Sequence, residues 1–340
     1  MRVGICDFPS QYAFPPFGYG GIERWLWAAA IGAYRAGAEV HLLGPAWRQD
    51  LVPGMPGLPV RLEDIDRDAA WRAVERLGLD LLIGGHEYPS HPTWRAAAAA
   101  LGCDVATFQH DPNFRHAADA FDGMRSRLYC YSPEMVARYS VHRPQQTLSV
   151  QFGLGEEDPE PAADGTYLAW LGRIDRDKAP HLAAMAAAKL GMRLRIIGPV
   201  LDSSYVAEHA SVLEAPYVDF VGELTGPVKL RALKEARALV YTCGRDYVEA
   251  GAAVFGEALR CGTPVAASVW GAGTCAQAAL CNGTGAVAEI GADDDDESAA
   301  AALADAISTA IQLEPRAVQE IGLARFDPAE HFRVLAGGVP

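Results

Sequence analysis

Residues 153–165 read GLGEEDPEPAADG. Prolines and glycines alternate there with carboxylates, and no apolar residue recurs with a helical or strand period, so the stretch reads as a linker. The same pattern stands on both sides of it. Before it, short apolar runs predict strands at Arg2–Cys6, Val40–Leu43, Leu81–Ile83, Val105–Phe108, Leu128–Tyr131 and Leu148–Phe152. Helical periods lie between them, as at Glu23–Ala36, Ala69–Leu77 and Pro92–Leu101. After the linker, strands are predicted at Tyr167–Leu171, Leu194–Ile197, Val218–Val221, Leu239–Thr242, Pro264–Ala267 and Ala286–Ala288. Helices are predicted there at Lys178–Leu190, Ser203–Ser211, Val228–Ala236, Glu249–Arg260 and Ser298–Ile311. Repeated strand–helix alternation implies parallel sheets with helices on both faces.

The expected class is therefore α/β, with two doubly wound, Rossmann-like domains facing across a cleft. The first spans 1–152 and the second 153–321, and a helix within 322–340, amphipathic over Pro328–Leu335, is expected to pack back on the first. Such sheets bind ligands beyond the carboxyl ends of their strands.

Composition narrows the partners. The chain has 340 residues, half of them hydrophobic, enough for two cores at ~150 residues per domain. Lys and Arg number 29 against 43 Asp and Glu, a net charge of −14. That surface repels nucleic acid and anionic lipid, so a bound anion needs local cations. Met1–Ser10 lacks the pattern of a signal peptide, and no uncharged apolar run approaches the ~18 residues of a membrane span. Seven cysteines without a CxxC pair fit a reducing compartment. A cytoplasmic monomer or homodimer with small-molecule ligands is expected.

Four groups of residues carry possible chemistry. Gly172, Arg173 and Lys178 follow the first strand of the second domain and run into a helix. Two cations beside a helix N-terminus suit a diphosphate and the charge that builds as it leaves. The alternative is a solvated loop in which Asp175, Arg176 and Asp177 pair with their neighbours. Glu249 and Glu257 stand eight residues apart, with Gly251 loosening the start of their helix and leaving Glu249 in the loop. A carboxylate in the first turns suits vicinal hydroxyls, and the N–H groups of Ala252, Ala253 and Val254 suit an anion. Simple complementarity to the helix dipole explains Glu249 but not the deeper Glu257. Gly20 and Gly21, within Phe17–Glu23, open a helix where a backbone approaches a phosphate closely. His110, followed by Asp111, ends a strand and is placed either to orient a hydroxyl or to be satisfied by Asp111.

Other patterns are set aside. Gly271–Ala276 matches a dinucleotide fingerprint only in the wrong connection, so a nicotinamide cofactor is not expected. His86 and His91 have an internal Pro89 and cannot share a helical face to hold zinc, though Glu87 is a candidate for touching an acceptor. Asp293–Glu297 reads as a helix start, and Cys275 and Cys281 as ordinary thiols.

Together these residues resemble retaining glycosyltransferases of the GT-B fold, specifically family 4. The likeness covers nearly all of the second domain and the first more loosely. It rests on Glu249 and Glu257 with the trailing Ala258 and Gly262–Val265, on Gly172, Arg173 and Lys178, on Gly20-Gly21 and on His110-Asp111. The pattern departs in having Gly251 two residues after the first glutamate rather than three, and Ala179 where glycine usually follows the lysine. The resemblance implies transfer of a sugar from a nucleoside diphosphate donor to an acceptor hydroxyl, without a bound metal or other cofactor. It implies that Arg173 and Lys178 meet the diphosphate, Glu257 the ribose and Glu249 the sugar hydroxyls. His110 would lie by the transferred sugar, Gly20 and Gly21 by the phosphate, and Gly222 and Leu224 on the donor side. The alanine-rich, arginine-favouring composition and compact length resemble actinomycete antibiotic-tailoring enzymes of the avilamycin type. A GT-B phosphorylase, a nucleotide-sugar epimerase and a non-catalytic two-lobed binding protein are the alternatives.

Overall fold

The structure, a computed structural model, describes residues 1–7, 13–16, 20–51, 54–61, 68–150, 160–161 and 165–337. Most of the linker and residues 17–19 of the first glycine loop lie outside the described residues. The chain forms two compact units. The N-terminal unit comprises the described residues within 1–16, 20–150 and 326–337, and the C-terminal unit those within 160–325.

In the N-terminal unit the described strands are β1 (Arg2–Cys6), β2 (Glu39–Leu43), β3 (Gly57–Leu58), β4 (Leu81–Gly85), β5 (Asp104–Phe108), β6 (Ser126–Cys130) and β7 (Gln145–Gln146). They pair in parallel in the order β3-β2-β1-β4-β5-β6-β7. Every residue of β4 and β5 is buried, as expected of central parallel strands covered on both faces. In the C-terminal unit β8 (Tyr167–Leu171), β9 (Leu194–Ile197), β10 (Val218–Gly222), β11 (Ala236–Tyr241), β12 (Val265–Val269) and β13 (Gly285–Glu289) pair in the order β10-β9-β8-β11-β12-β13. Each sheet winds outward from one strand and then back across it. The order reverses between β1 and β4 in one unit and between β8 and β11 in the other, and these switch points are where doubly wound sheets bind ligands.

The helix Pro328–Ala336 returns to the N-terminal unit, where Phe332 and Leu335 join the core formed by Trp25, Leu26, Ile5 and Phe108. Gly32 permits that approach, because a Cβ there would stand 2.2 Å from the Pro328 carbonyl oxygen. Residues 322–325 end the preceding helix, Pro315–Arg325, and stay with the C-terminal unit. Gly322 lets that helix close on Val254–Arg260, since a Cβ there would stand 2.6 Å from the Leu259 backbone.

Two local expectations change. Of Leu148–Phe152, residues 148–150 lie outside the ladder and 151–152 lie outside the described residues, and β7 pairs instead with Tyr129 and Cys130. Val150 is buried all the same, so the apolar alternation marked burial rather than pairing. The two helices expected from Lys178 and Glu249 start later, at Pro180 and Val254, because the preceding residues form the loops described next.

Candidate functional site

The loops that leave β8 and β11 are neighbours at the carboxyl ends of those strands. Residues 172–179 therefore meet residues 242–253, far away in the chain. Lys178 Nζ donates to Glu249 Oε2, with only 13% and 14% of the two side chains exposed. The Tyr241 hydroxyl donates to the same carboxylate oxygen at 3.2 Å. The ring of Tyr247 lies 4.7 Å from the Lys178 ammonium, within cation–π range. Burial, then the Glu249 charge, pushes the Tyr247 hydroxyl up to about 12 and Tyr241 well above its ordinary value. The Tyr241 phenol is thus a neutral donor to Glu249 at physiological pH.

The two loops are stitched by their own hydrogen bonds. Trp170 Nε1 donates to Thr242 Oγ1 at 2.8 Å, and that hydroxyl donates to the Lys178 carbonyl at 2.6 Å. The Gly244 N–H reaches the Asp177 carbonyl at 2.8 Å, while Asp175 Oδ1 accepts from the Lys178 N–H at 3.0 Å. Ala179 then turns into the helix Pro180–Leu190 with φ of 44°. Glycine adopts that conformation at little cost, so alanine here carries backbone strain that glycine would avoid.

Arg173 behaves differently from Lys178. Its Nε lies 3.4 Å from Asp175 and its Nη2 3.4 Å from Asp177, the local pairing that the loop alternative foresaw. Arg176 pairs outward with Glu208. Glycines end three adjacent strands beside this loop. Gly172 N–H donates to the Ile197 carbonyl at 3.1 Å, and Gly198 N–H to the Gly222 carbonyl at 2.9 Å. Gly222 has φ of 74° and open space around it, and Leu224 is half-buried two residues on.

Glu257 lies in the first turn of the helix Val254–Arg260, and Glu249 precedes it in the loop with Gly251, Ala252 and Ala253. Glu257 accepts from Lys229 Nζ, a residue that sequence reasoning passed over. The signal was there: Lys229 shares a helical phase with the buried Ala232 and Leu233, so a charged side chain pointed inward. The remaining patterns are structural. Thr274 forms a capping box with Gln277, Asp295 caps the helix Asp296–Ala310, and Cys275 and Cys281 are thiols.

In the N-terminal unit the switch between β1 and β4 places Gly20 and Gly21 at the start of the helix Gly21–Arg35, and Glu87 just after β4. Glu23 is buried in that helix's first turn, close enough that a Cβ on Gly20 would stand 2.8 Å from its carboxylate. His110 lies beyond β5, its Nδ1 3.2 Å from the Tyr131 hydroxyl and its ring edge-on to Trp25. Asp111 instead serves neighbouring loops, its carbonyl accepting from Gln109 and Tyr139 and its Oδ1 from the Asn113 N–H. His86 Nδ1 accepts from the His110 N–H at 3.4 Å.

Burial lowers His110 well below its ordinary value, and lowers His86 and His331 from 6.5 to about 4. A depressed folded value stabilises the fold fully above the unfolded value, and that stability is lost as pH falls from 6.5 toward 4. Each of His86 and His331 then removes up to ~1.4 kcal/mol per pH unit. The denaturant midpoint is expected to drop between pH 7.5 and pH 5, less steeply in His331→Gln. Equal midpoints at the two pH values in the wild type would refute this.

Residues 156–319 match the family described as Glycosyl transferases group 1. The matched region contains Gly172, Arg173, Lys178, Lys229, Glu249 and Glu257. Among solved structures, the chain is similar to AviGT4, a glycosyltransferase involved in avilamycin A biosynthesis, at 19% identity and a TM-score of 0.70. That match covers 99% of this chain and 98% of the other. It is also similar to the lipopolysaccharide outer core galactosyltransferase WaaB, at 14% identity and a TM-score of 0.64, with the same coverage. The fold is accordingly GT-B. A comparison with curated proteins finds no match. Among the described residues no helix is long and apolar enough to cross a membrane.

Proposed function

We propose that this protein is a retaining family 4 glycosyltransferase that moves a sugar from a nucleoside diphosphate sugar to a hydroxyl of a small-molecule or oligosaccharide acceptor. The match of residues 156–319 to group 1 glycosyltransferases supports sugar transfer in general. The observation that carries the finer reading is the meeting of Lys178 with Glu249 at the β8/β11 switch point. A diphosphate bound there meets an ammonium already oriented by a carboxylate, a phenol and an aromatic face. Arg173 and the N–H groups of Ala252, Ala253 and Val254 add donors, with Gly172 and Gly251 allowing close approach.

Departure of the diphosphate leaves positive charge at the sugar's anomeric carbon and negative charge on the phosphate. Lys178 and Arg173 stabilise the latter, the role a metal ion plays in other phosphate chemistry. Each glutamate is held by a lysine rather than offered as a covalent nucleophile, so retention requires the acceptor oxygen to enter on the face the diphosphate leaves, its proton passing to the departing phosphate oxygen. Glu249 then serves the sugar hydroxyls, Glu257 the ribose, and Gly222 and Leu224 the rest of the donor. Gly20, Gly21 and His110 are assigned to the donor's phosphate and sugar, and Glu87 to the acceptor. The likeness to AviGT4 supports a role in antibiotic biosynthesis.

A thermal-shift series with UDP, GDP and dTDP tests the reading. A nucleotide at 100 times its Kd stabilises by about 2.7 kcal/mol, a rise of several degrees. The proposal fails if none of the three raises Tm and no nucleotide sugar is consumed when acceptors are supplied.

A further inference from the structure

Glu257 has a cation of its own, and it is an expensive one. Lys229, in the helix Gly226–Lys234, is only 6% exposed, and lysines are almost never so buried unless paired. Burying both members of an ion pair costs desolvation that an apolar pair of similar volume would avoid. The rest of that helix face is apolar, with Ala232 and Leu233 in the next turn. The pair is also held rigidly. Tyr167 donates to the Ala232 carbonyl and Thr263 to the Leu233 carbonyl, both at 2.7 Å. These bonds tie the last turn of the helix carrying Lys229 to β8 and to the loop that follows the helix carrying Glu257. The same plan recurs at Lys178 and Glu249, where a lysine from one strand–helix connection grips a glutamate from another.

We infer that Lys229 is a positioning residue for nucleotide recognition: it aims the Glu257 carboxylate at the vicinal hydroxyls of the donor ribose and thereby sets a preference for ribonucleotides. This rests on the nucleotide-sugar reading above and adds a specificity-determining residue to it. An ionised carboxylate is acceptor-only, with about four lone-pair sites. The ammonium engages one oxygen, leaving capacity for the two O–H donors of a diol. A glutamate without the lysine has to be ordered at the moment of binding, at an entropic cost that the pair removes in advance.

Calorimetric titration of the whole chain with UDP and GDP, their 2′,3′-dideoxy counterparts and dTDP provides the test. The wild type is expected to favour the ribose form by on the order of 100-fold, from two hydrogen bonds to a charged acceptor. In Lys229→Met that ratio should fall to within about threefold, while affinity for the dideoxy form is unchanged. A purely structural role for Lys229 would instead weaken both forms alike. If the methionine variant does not fold, Lys229→Gln supplies the same readout. A variant that binds with the wild-type ratio overturns the inference. Binding of dTDP alone overturns it too, yet leaves the nucleotide-sugar reading standing. Failure of every nucleotide to bind the wild type overturns both.

Discussion

Replacing Lys178 by alanine is expected to lower turnover by at least ~100-fold, the scale of a lost charge-stabilising contact. Two effects combine. The leaving diphosphate loses an ammonium, and Glu249, only 14% exposed, loses the cation that orients it. Because the ammonium matters most as charge builds on the phosphate, kcat and kcat/KM should fall together rather than KM rising alone. Arg173→Ala should show a loss of the same kind. Its guanidinium starts from Asp175 and Asp177, so it has to exchange those partners for the diphosphate. Steady-state kinetics, with Tm measured in parallel to separate unfolding from lost chemistry, check both variants. Near wild-type turnover in the two of them would remove the diphosphate role assigned here.

Gly198→Ala is expected to be the most damaging small substitution in the C-terminal unit. Gly198 has φ of 143°, and a Cβ built there would stand 1.9 Å from the Gly172 carbonyl oxygen. No rotamer relieves that overlap, because the backbone fixes the Cβ position and the oxygen it meets is itself backbone. Either β9 or the loop entering Arg173 has to move. A loss of about 3 kcal/mol is expected from the disfavoured backbone and the clash combined. The denaturant midpoint of the C-terminal unit reports the stability, and nucleotide affinity reports whether the loop moved. For the midpoint, Gly222→Ala is a useful control, since its φ of 74° is also positive but its Cβ would meet nothing within 4 Å. If Gly198→Ala is no worse than that control, the contact between the two strand ends is not what requires glycine.

Much of this architecture was legible in residue order. The alternation of short apolar runs with helical periods survives in the order of both sheets, because a strand buried on two faces has to be apolar throughout. The positions of Arg173, Lys178, Glu249 and Glu257 beyond strand ends were readable for the same reason: polar residues that interrupt an apolar pattern mark where a strand stops. Boundaries were less accessible. The loop before Pro180 and the loop before Val254 depend on contacts with each other, and Lys178 and Glu249 are 71 positions apart.

The chain's linear pattern was thus enough for the α/β class and for the residues that carry charge near the strand ends. It could not tell which charges would face one another. Local reasoning left both cations of the first loop open between a diphosphate and the nearby aspartates, and in the fold Arg173 lies by Asp175 and Asp177 while Lys178 meets Glu249. Lys229 found Glu257 only because the helices Gly226–Lys234 and Val254–Arg260 pack side by side. Hydrophobic periodicity is written along the chain, one element at a time, whereas ion-pair partners follow from sheet order and helix packing, which exist only once distant segments have come together.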